Sequence, residues 1–534
     1  MAKTIYLCIL MLVATSNSFS QTVDTVCSPY YENTSQYGLD PQFLTVMGGN
    51  LYFAGNYATD VAEYLWKSNG TCAGSFPLKK IDLGVSGYNG HIVDITAVGN
   101  LLYFSDVATS TIWRSDGTAA GTYILMNGEK SPGFVEYNGK VYFGVNNPVA
   151  SSGLWVTDGT VAGTTLVKQM KTAGNFTGFQ SNLYFVGNDG ITGNQLWRTD
   201  GTNSGTVLVR MVHLPTSNQT LNELMIVGST LYFTCDDSTA SGIKLWKTDG
   251  SSSGTIVVPT NKIGNYPRKL FAFNGKLFLN AWDPALQGIT IGQLFVTDGT
   301  DAGTLLLKSL VYNIAQYTYT FNPYNFTIMN NNLYFMGSDS LNGNQIWKTD
   351  GTIGGTTLVT PFNSTKNIYA ASFLKAFDNH LVFGGTANGI EGFYYSDGTF
   401  GDIHYQPPFI SWRPDFGKGF TEYNGALYFN SNCSNLYDYE LYKFYFALPN
   451  AVPAITKNNE NSILVFPNPS TSQITISSVN TMDRIEIVNM LGQVVYSKYP
   501  EVKKLTAEIR NEGVYVVRIY SNNSIAIKKI NIQR

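Results

Sequence analysis

One phrase recurs along this chain at a nearly fixed interval, and only a fold built from repeated units accommodates it. It reads VTDGTVAGT at 156–164, RTDGTNSGT at 198–206, VTDGTDAGT at 296–304 and KTDGTIGGT at 348–356. A marker aromatic accompanies each unit, at Trp66, Trp113, Trp155, Trp197, Trp246, Phe295, Trp347, Tyr394 and Tyr442, spaced 42 to 52 residues apart. A Leu-Tyr-Phe-type run precedes each marker, from LYF at 51–53 to LYF at 427–429, so nine units are counted. Self-similarity at this period is the signature of a solenoid or propeller.

Each unit reads as four short strands. One enters an Asn-Gly-type turn, as in EYNGK at 136–140; the Leu-Tyr-Phe strand, the Leu-Trp strand and a strand after the second Gly-Thr follow. Consecutive apolar residues in the two middle strands imply sheets covered on both faces, which stacked blades provide. Lys168 and Arg210 in the fourth strands suit an outer edge facing water. The expected class is therefore all-β: a large β-propeller of about nine four-stranded units, with eight or nine blades, over residues 21–450. Two smaller propellers or an open β-solenoid are the alternatives, and the even spacing leaves no linker to divide the repeats. The end units are degenerate: the first carries SNGTCAGS and the ninth, ELYKFYF at 440–446, lacks the phrase.

The charged fraction of 13% is about half the roughly 25% of ordinary soluble domains, and 52 Gly, 34 Tyr and 31 Phe fill the difference. That balance favours strands and turns over exposed helices. Net charge is −3 and no basic cluster occurs, which disfavours a nucleic-acid partner. Residues 1–20, with Lys3 ahead of an apolar run too short to span a bilayer, read as a cleaved signal peptide, and no later run suggests a transmembrane segment. Four cysteines follow the leader, with no CxxC pair to suggest a metal site. Cys27 and Cys433, near the two ends of a ring, are the candidate disulfide at its closure; free buried thiols are the alternative.

After a polar linker, 451–462, the repeat phrase disappears, and 463–534 reads as a compact Ig-like β-sandwich. Its motifs are Phe466-Pro467-Asn468-Pro469, Ile485 to Gln493, Gly513-Val514-Tyr515 and Lys528-Lys529-Ile530. Together they resemble the C-terminal sorting domain, type A, of proteins exported by the type IX secretion system of Bacteroidetes. The resemblance implies passage through the periplasm, recognition by an outer-membrane translocon, and release or attachment at the cell surface. Residues 50–400 resemble the ELWxTDGTxxGT-repeat proteins of the same bacteria, a likeness that implies a repeat fold and no particular activity.

Asp116, Asp158, Asp200, Asp249, Asp298, Asp350 and Asp397 are equivalent. Asp bonds backbone two residues on and Gly accepts positive φ, so the phrase reads as a structural turn. Asn69 replaces the Asp in one copy, and each loop offers calcium a single carboxylate where six to eight oxygens are wanted. No metal, cofactor or catalytic residue is assigned. Six of the eight Trp hold the marker position, where Phe and Tyr substitute, as at a packing slot.

Function is then sought in the irregular loops. Trp282 and Asp283 lie in an enlarged hairpin, Tyr317 and Tyr319 in a long connection, and Trp412 and Arg413 in PPFISWRPDFGKG. Aromatics beside charged groups point to a sugar or protein ligand, and loops packed on their own aromatics are the plainer reading. The expectation is a secreted or surface-displayed binding or adhesion module for glycan or protein; the alternative is a propeller-based polysaccharide hydrolase or lyase.

Overall fold

The repeated phrase becomes a hydrogen-bonded corner in a computed structural model. The structure describes residues 20–27, 39–57, 60–81, 92–130, 133–146, 151–213, 221–236, 242–286, 292–309, 311–314, 317–339, 343–360, 368–369, 373–387, 390–406, 420–431, 440–447, 463–482, 484–489, 494–498, 502–509, 511–521 and 524–533. Most of the leader, the linker 451–462, Cys433, Trp412 and Arg413 lie outside them. Every named element is a β-strand, and the chain divides into two compact units, Gln21–Phe446 and Ala447–Arg534.

In the larger unit, nine antiparallel sheets of four or five strands follow one another among the described residues. The first shows the plan: Gln42–Met47, Asn50–Tyr57, Asp60–Ser68 and Phe76–Lys80 lie side by side in chain order. Its second and third strands bury most of their described residues, including Leu51, Tyr52, Phe53, Leu65 and Trp66. The marker aromatic always faces the Phe position across the ladder: Phe53 pairs Trp66, Phe104 pairs Trp113, Leu279 pairs Phe295 and Phe429 pairs Tyr442. The Phe53 and Trp66 rings stack at 5.9 Å and 8°. Such cross-strand aromatic pairs add about 0.2–1 kcal/mol each beyond Ala pairs.

Two local devices recur among the sheets. Tight hairpins join the first two strands, with Tyr137 paired to Lys140 around Asn138 and Gly139. Both loop residues have positive φ, 52° and 73°, as the two-residue turn that matches strand twist requires. In six sheets a bulge then interrupts the first strand, placing Phe43, Asp94, Asn175, Glu223, Lys269 and Asn325 at φ of 52–59°. Two of these bulge side chains reach the next sheet: Asp94 Oδ2 accepts from Gly133 N at 3.2 Å, and Glu223 Oε2 from Leu270 N at 2.9 Å.

Apolar clusters bind consecutive sheets. Met47, Leu65, Ile92 and Phe104 join the first to the second, and Phe377, Phe393, Phe429 and Phe444 join the eighth to the ninth. The succession closes on itself, since Leu44 and Trp66 of the first sheet share a core with Tyr428 and Leu441 of the ninth. Thr421 Oγ1 donates to Leu44 O at 2.8 Å and Tyr423 Oη to Gly49 O at 2.8 Å across the same seam.

The missing phrase of the ninth unit has a physical counterpart here. Thr421–Tyr423, Ala426–Ser431 and Glu440–Ala447 supply three strands, and the fourth, Ser20–Cys27, comes from the beginning of the chain. The unit needs no fourth strand of its own because residues immediately after the expected leader provide it. Cys27 ends that strand, while Cys72 is exposed and Cys235 is buried.

The smaller unit has a three-stranded sheet, with Gln473–Met482 between Ile463–Phe466 and Val502–Glu508, and a four-stranded sheet containing Arg484–Asn489 and Gly513–Ser521. Ile474, Ile476 and Ala507 of one sheet share a core with Ile485, Val517 and Ile519 of the other. Asn468 ties the FPNP turn to the last strand: its Nδ2 donates to Lys529 O at 2.9 Å and its Oδ1 accepts from Asn531 N at 2.9 Å.

Candidate functional site

Each Asp of the phrase is exposed and engaged by its own loop. Asp158 Oδ1 accepts from Thr160 N at 2.9 Å and from Thr160 Oγ1 at 2.7 Å; Gly163 N donates to Thr160 Oγ1 at 2.9 Å. Thr157 and Thr164 close the strand ends through their hydroxyls at 2.8 Å. The same bonds recur at Asp200, Asp298 and Asp350. Asn69 makes them too, accepting from Thr71 N at 3.0 Å and Thr71 Oγ1 at 2.7 Å.

These bonds hold the Asp158 and Asp298 carboxyls below their ordinary pKa, chiefly through the Thr160 and Thr300 hydroxyls. A depressed folded-state value contributes stability that is present above the ordinary 3.8 and lost as pH falls through the folded value. Asp158→Asn with Asp298→Asn keeps the acceptor oxygen, as Asn69 does. The double variant is expected to melt close to wild type at pH 7 and to lose less stability than wild type below pH 3.8, read by thermal melts across an acid series.

The phrase is also the joint between sheets. The Tyr of one sheet's Leu-Tyr-Phe run rests on the Gly of the next sheet's Asp-Gly-Thr. A Cβ placed on Gly117, Gly201, Gly299 or Gly70 would stand 2.2–2.4 Å from the hydroxyl of Tyr52, Tyr142, Tyr232 or Tyr428. The residue after the marker Trp reaches the same corner: Lys247 Nζ donates to Gly299 O at 2.8 Å, and Arg198 Nη1 to Gly250 O at 3.2 Å. Burial first, and the Asp298 carboxylate second, push the Tyr232 phenol up to about 12.

A paired substitution separates joint from turn. Gly139→Ala has positive φ and open space, so only backbone strain of about 1 kcal/mol is expected. Gly201→Ala adds the collision with Tyr142 and is expected to cost about 2–4 kcal/mol, partly recovered in Gly201→Ala with Tyr142→Phe, by chemical denaturation.

Two of the loops proposed from sequence fall in different elements; the third, with Trp412 and Arg413, lies outside the described residues. Trp282 and Asp283 line one cavity of about 580 Å³, with Lys244, Asn261, Asn265 and Thr260. Tyr317 and Tyr319 instead belong to a separate hairpin, Val311–Ile314 with Tyr317–Thr320, where Tyr312 pairs Tyr319 and Ile314 pairs Tyr317. A second cavity, of about 550 Å³, lies at the bulged first strands and is lined by Asn175, Phe176, Asn222, Glu223 and Leu224.

The Trp282 cavity arises where the repeat loses its regular edge. The fourth strand of the fifth sheet shrinks to Ile256–Val257, and the following residues fold along it before Arg268–Phe273 begins the sixth sheet. Val258 N donates to Leu245 O at 2.9 Å, Gly264 N to Trp282 O at 2.8 Å, and Tyr266 N to Ile243 O at 3.0 Å. Tyr266 sits at φ 58° and its ring leans on Trp282, with centroids 4.5 Å apart at 38°. A bulky residue at that φ costs on the order of 1–3 kcal/mol and persists only where its surroundings impose it. Lys244 Nζ donates to Asn265 Oδ1, and Asp283 Oδ1 accepts from Ala285 N at 2.9 Å.

Trp282 and Asp283 were visible in sequence as exceptions to the repeat, whereas Tyr266, Lys244, Asn261 and Asn265 were not. For Tyr266, Asn261 and Asn265 the only sequence signal is PTNKIGNYPR, 259–268, an extended connection whose link to Trp282 depends on strand order; Lys244 sits in the regular strand Ile243–Thr248. Among the described residues no group of three or more His, Cys, Asp or Glu is arranged to hold a metal ion. No helix among them is long and apolar enough to cross a membrane.

No curated protein matches the sequence. Among solved structures, PorZ, a bacterial surface component of the type-IX secretion system of Porphyromonas gingivalis, is 12% identical with a TM-score of 0.34, over 92% of this chain and 75% of that one. A puromycin-hydrolyzing peptidase of Mycobacterium tuberculosis is 12% identical with a TM-score of 0.33, over 70% and 61%. Likenesses at this level carry no argument about activity. Residues 464–533 match the family described as secretion system C-terminal sorting domain. The chain thus carries a type IX sorting tail and is a protein sent to the cell surface or the extracellular space.

Proposed function

We propose that this is a binding protein of the outer cell surface or its surroundings, in which a nine-bladed propeller, closed by residues 21–27, presents a ligand site at Trp282. Residues 1–20 act as a cleaved signal, 451–462 as a linker, and 463–534 as an Ig-like sandwich recognised by the type IX translocon. The cyclic succession of sheets supports the propeller, and the self-satisfied Asp-Gly-Thr corners support a scaffold role for the repeat.

The observation that carries the binding reading is the cavity at Trp282, where one irregular edge gathers an aromatic ring and several polar side chains. Asp283 is the one carboxylate among its described lining residues. Glycoside cleavage ordinarily employs two carboxyls about 5–10 Å apart, so this lining favours binding over hydrolysis. The test is to pass the mature chain over immobilised polysaccharides while measuring retention and new reducing ends. Retention without cleavage is the expected result; steady release of reducing ends would instead establish the hydrolase alternative, and no retention would remove glycan binding.

A further inference from the structure

We infer that the Trp282 cavity holds one or two neutral pyranose rings, with Trp282 as the stacking face and Tyr266 as its positioning residue; this rests on the binding reading above. Its volume of about 580 Å³ lies within the range of small-ligand sites. Trp282 is half-buried, braced by the Tyr266 ring at 4.5 Å, and fixed through its own backbone, whose N–H donates to Asn265 O at 3.2 Å. A braced indole offers a flat apolar surface to the C–H face of a sugar, whose hydroxyls then require donors and acceptors at the edge.

The edge groups are of that kind. Because Lys244 occupies the Asn265 carboxamide oxygen, the Asn265 NH₂ is the group left to donate. Asp283 is oriented by Ala285 N–H, and Asn261 is exposed at the rim. Among the described lining residues Lys244 is the one cation and Asp283 the one anion, so their formal charges balance and neutral sugars are favoured over uronates or sulfated sugars. An extended peptide finds little purchase. The adjoining edge strand has two residues, and the N–H groups of Val258, Gly264, Tyr266 and Trp282 are already bonded within the protein.

The mature chain is titrated with cellobiose, maltose, lactose and N,N′-diacetylchitobiose, and with digalacturonate as anionic comparator, followed by indole fluorescence and saturation-transfer NMR. At least one neutral disaccharide is expected to bind. Trp282→Ala should weaken it about tenfold or more, with Tyr266→Phe nearly unchanged. Tyr266→Gly relieves the positive φ, so it should retain or raise the melting temperature while weakening the sugar as Trp282→Ala does. Digalacturonate preference, or binding indifferent to both Trp282→Ala and Tyr266→Gly, overturns the inference. Polysaccharide retention that is lost in Trp282→Ala, with no disaccharide bound, overturns it and leaves the binding reading standing; retention undiminished in Trp282→Ala, or no retention at all, removes both.

Discussion

Deletion of residues 463–534 is expected to abolish arrival at the cell surface and in the medium, with the truncated protein accumulating in the periplasm. The matched sorting family covers 464–533, nearly the whole of the smaller unit. That unit has its own two-sheet core, built from Ile474, Ile485, Val517 and others, so its removal takes away a complete folded body. The larger unit should therefore remain folded where it is stranded. Fractionation with immunoblotting, together with protease accessibility of intact cells, reads the outcome. Undiminished surface exposure of the truncation would defeat the assignment. A subtler variant follows from Asn468, whose side chain holds the FPNP turn to Lys529 and Asn531: Asn468→Ala should reduce export in proportion to the loss of that attachment.

Loss of Ser20–Cys27 is expected to be as damaging to folding as loss of the tail is to export. Without it, Glu440–Ala447 becomes an edge strand whose Leu441, Phe444 and Phe446 are buried in the intact protein. Val26, itself 3% exposed, leaves the core shared by the first and ninth sheets. The combined cost is several kcal/mol, comparable with the whole stability of a typical domain at about 5–15 kcal/mol, and the bared edge invites aggregation. A chain beginning at residue 28 should thus melt far below one beginning at residue 21, or be recovered insoluble. Adding a peptide of sequence QTVDTVC in trans should restore part of the difference, since it supplies the missing hydrogen-bonded strand. Equal melting temperatures for the two chains would show that the seam between first and ninth sheets holds without it.

The repeat itself was plain in the sequence because its chemistry is local. Asn138-Gly139 specifies its hairpin, LYF and LW specify covered strands, and Asp-Gly-Thr specifies its corner, each within a few residues. The outcome at Gly201 was less accessible. Its positive φ was foreseeable, but its contact with Tyr142 spans a whole unit and depends on how one sheet lies on the next. The six bulge residues were equally hidden: Phe43, Glu223 and Lys269 are poor choices for left-handed backbone, and tertiary packing overrides that preference. At the candidate site, rarity drew notice to Trp282 and could not do so for Tyr266, one tyrosine among 34.

The seam also fixes the order of events in the cell. Ser20–Cys27, made early, is among the last segments to find its place, because its partner strand begins at Glu440. More than four hundred residues must be made before the loop between the two strands can close. Throughout that interval the ninth sheet lacks a member and the nascent chain carries an unclaimed strand. Slow completion after synthesis ends is the expected counterpart of a succession of sheets whose first and last members share one core.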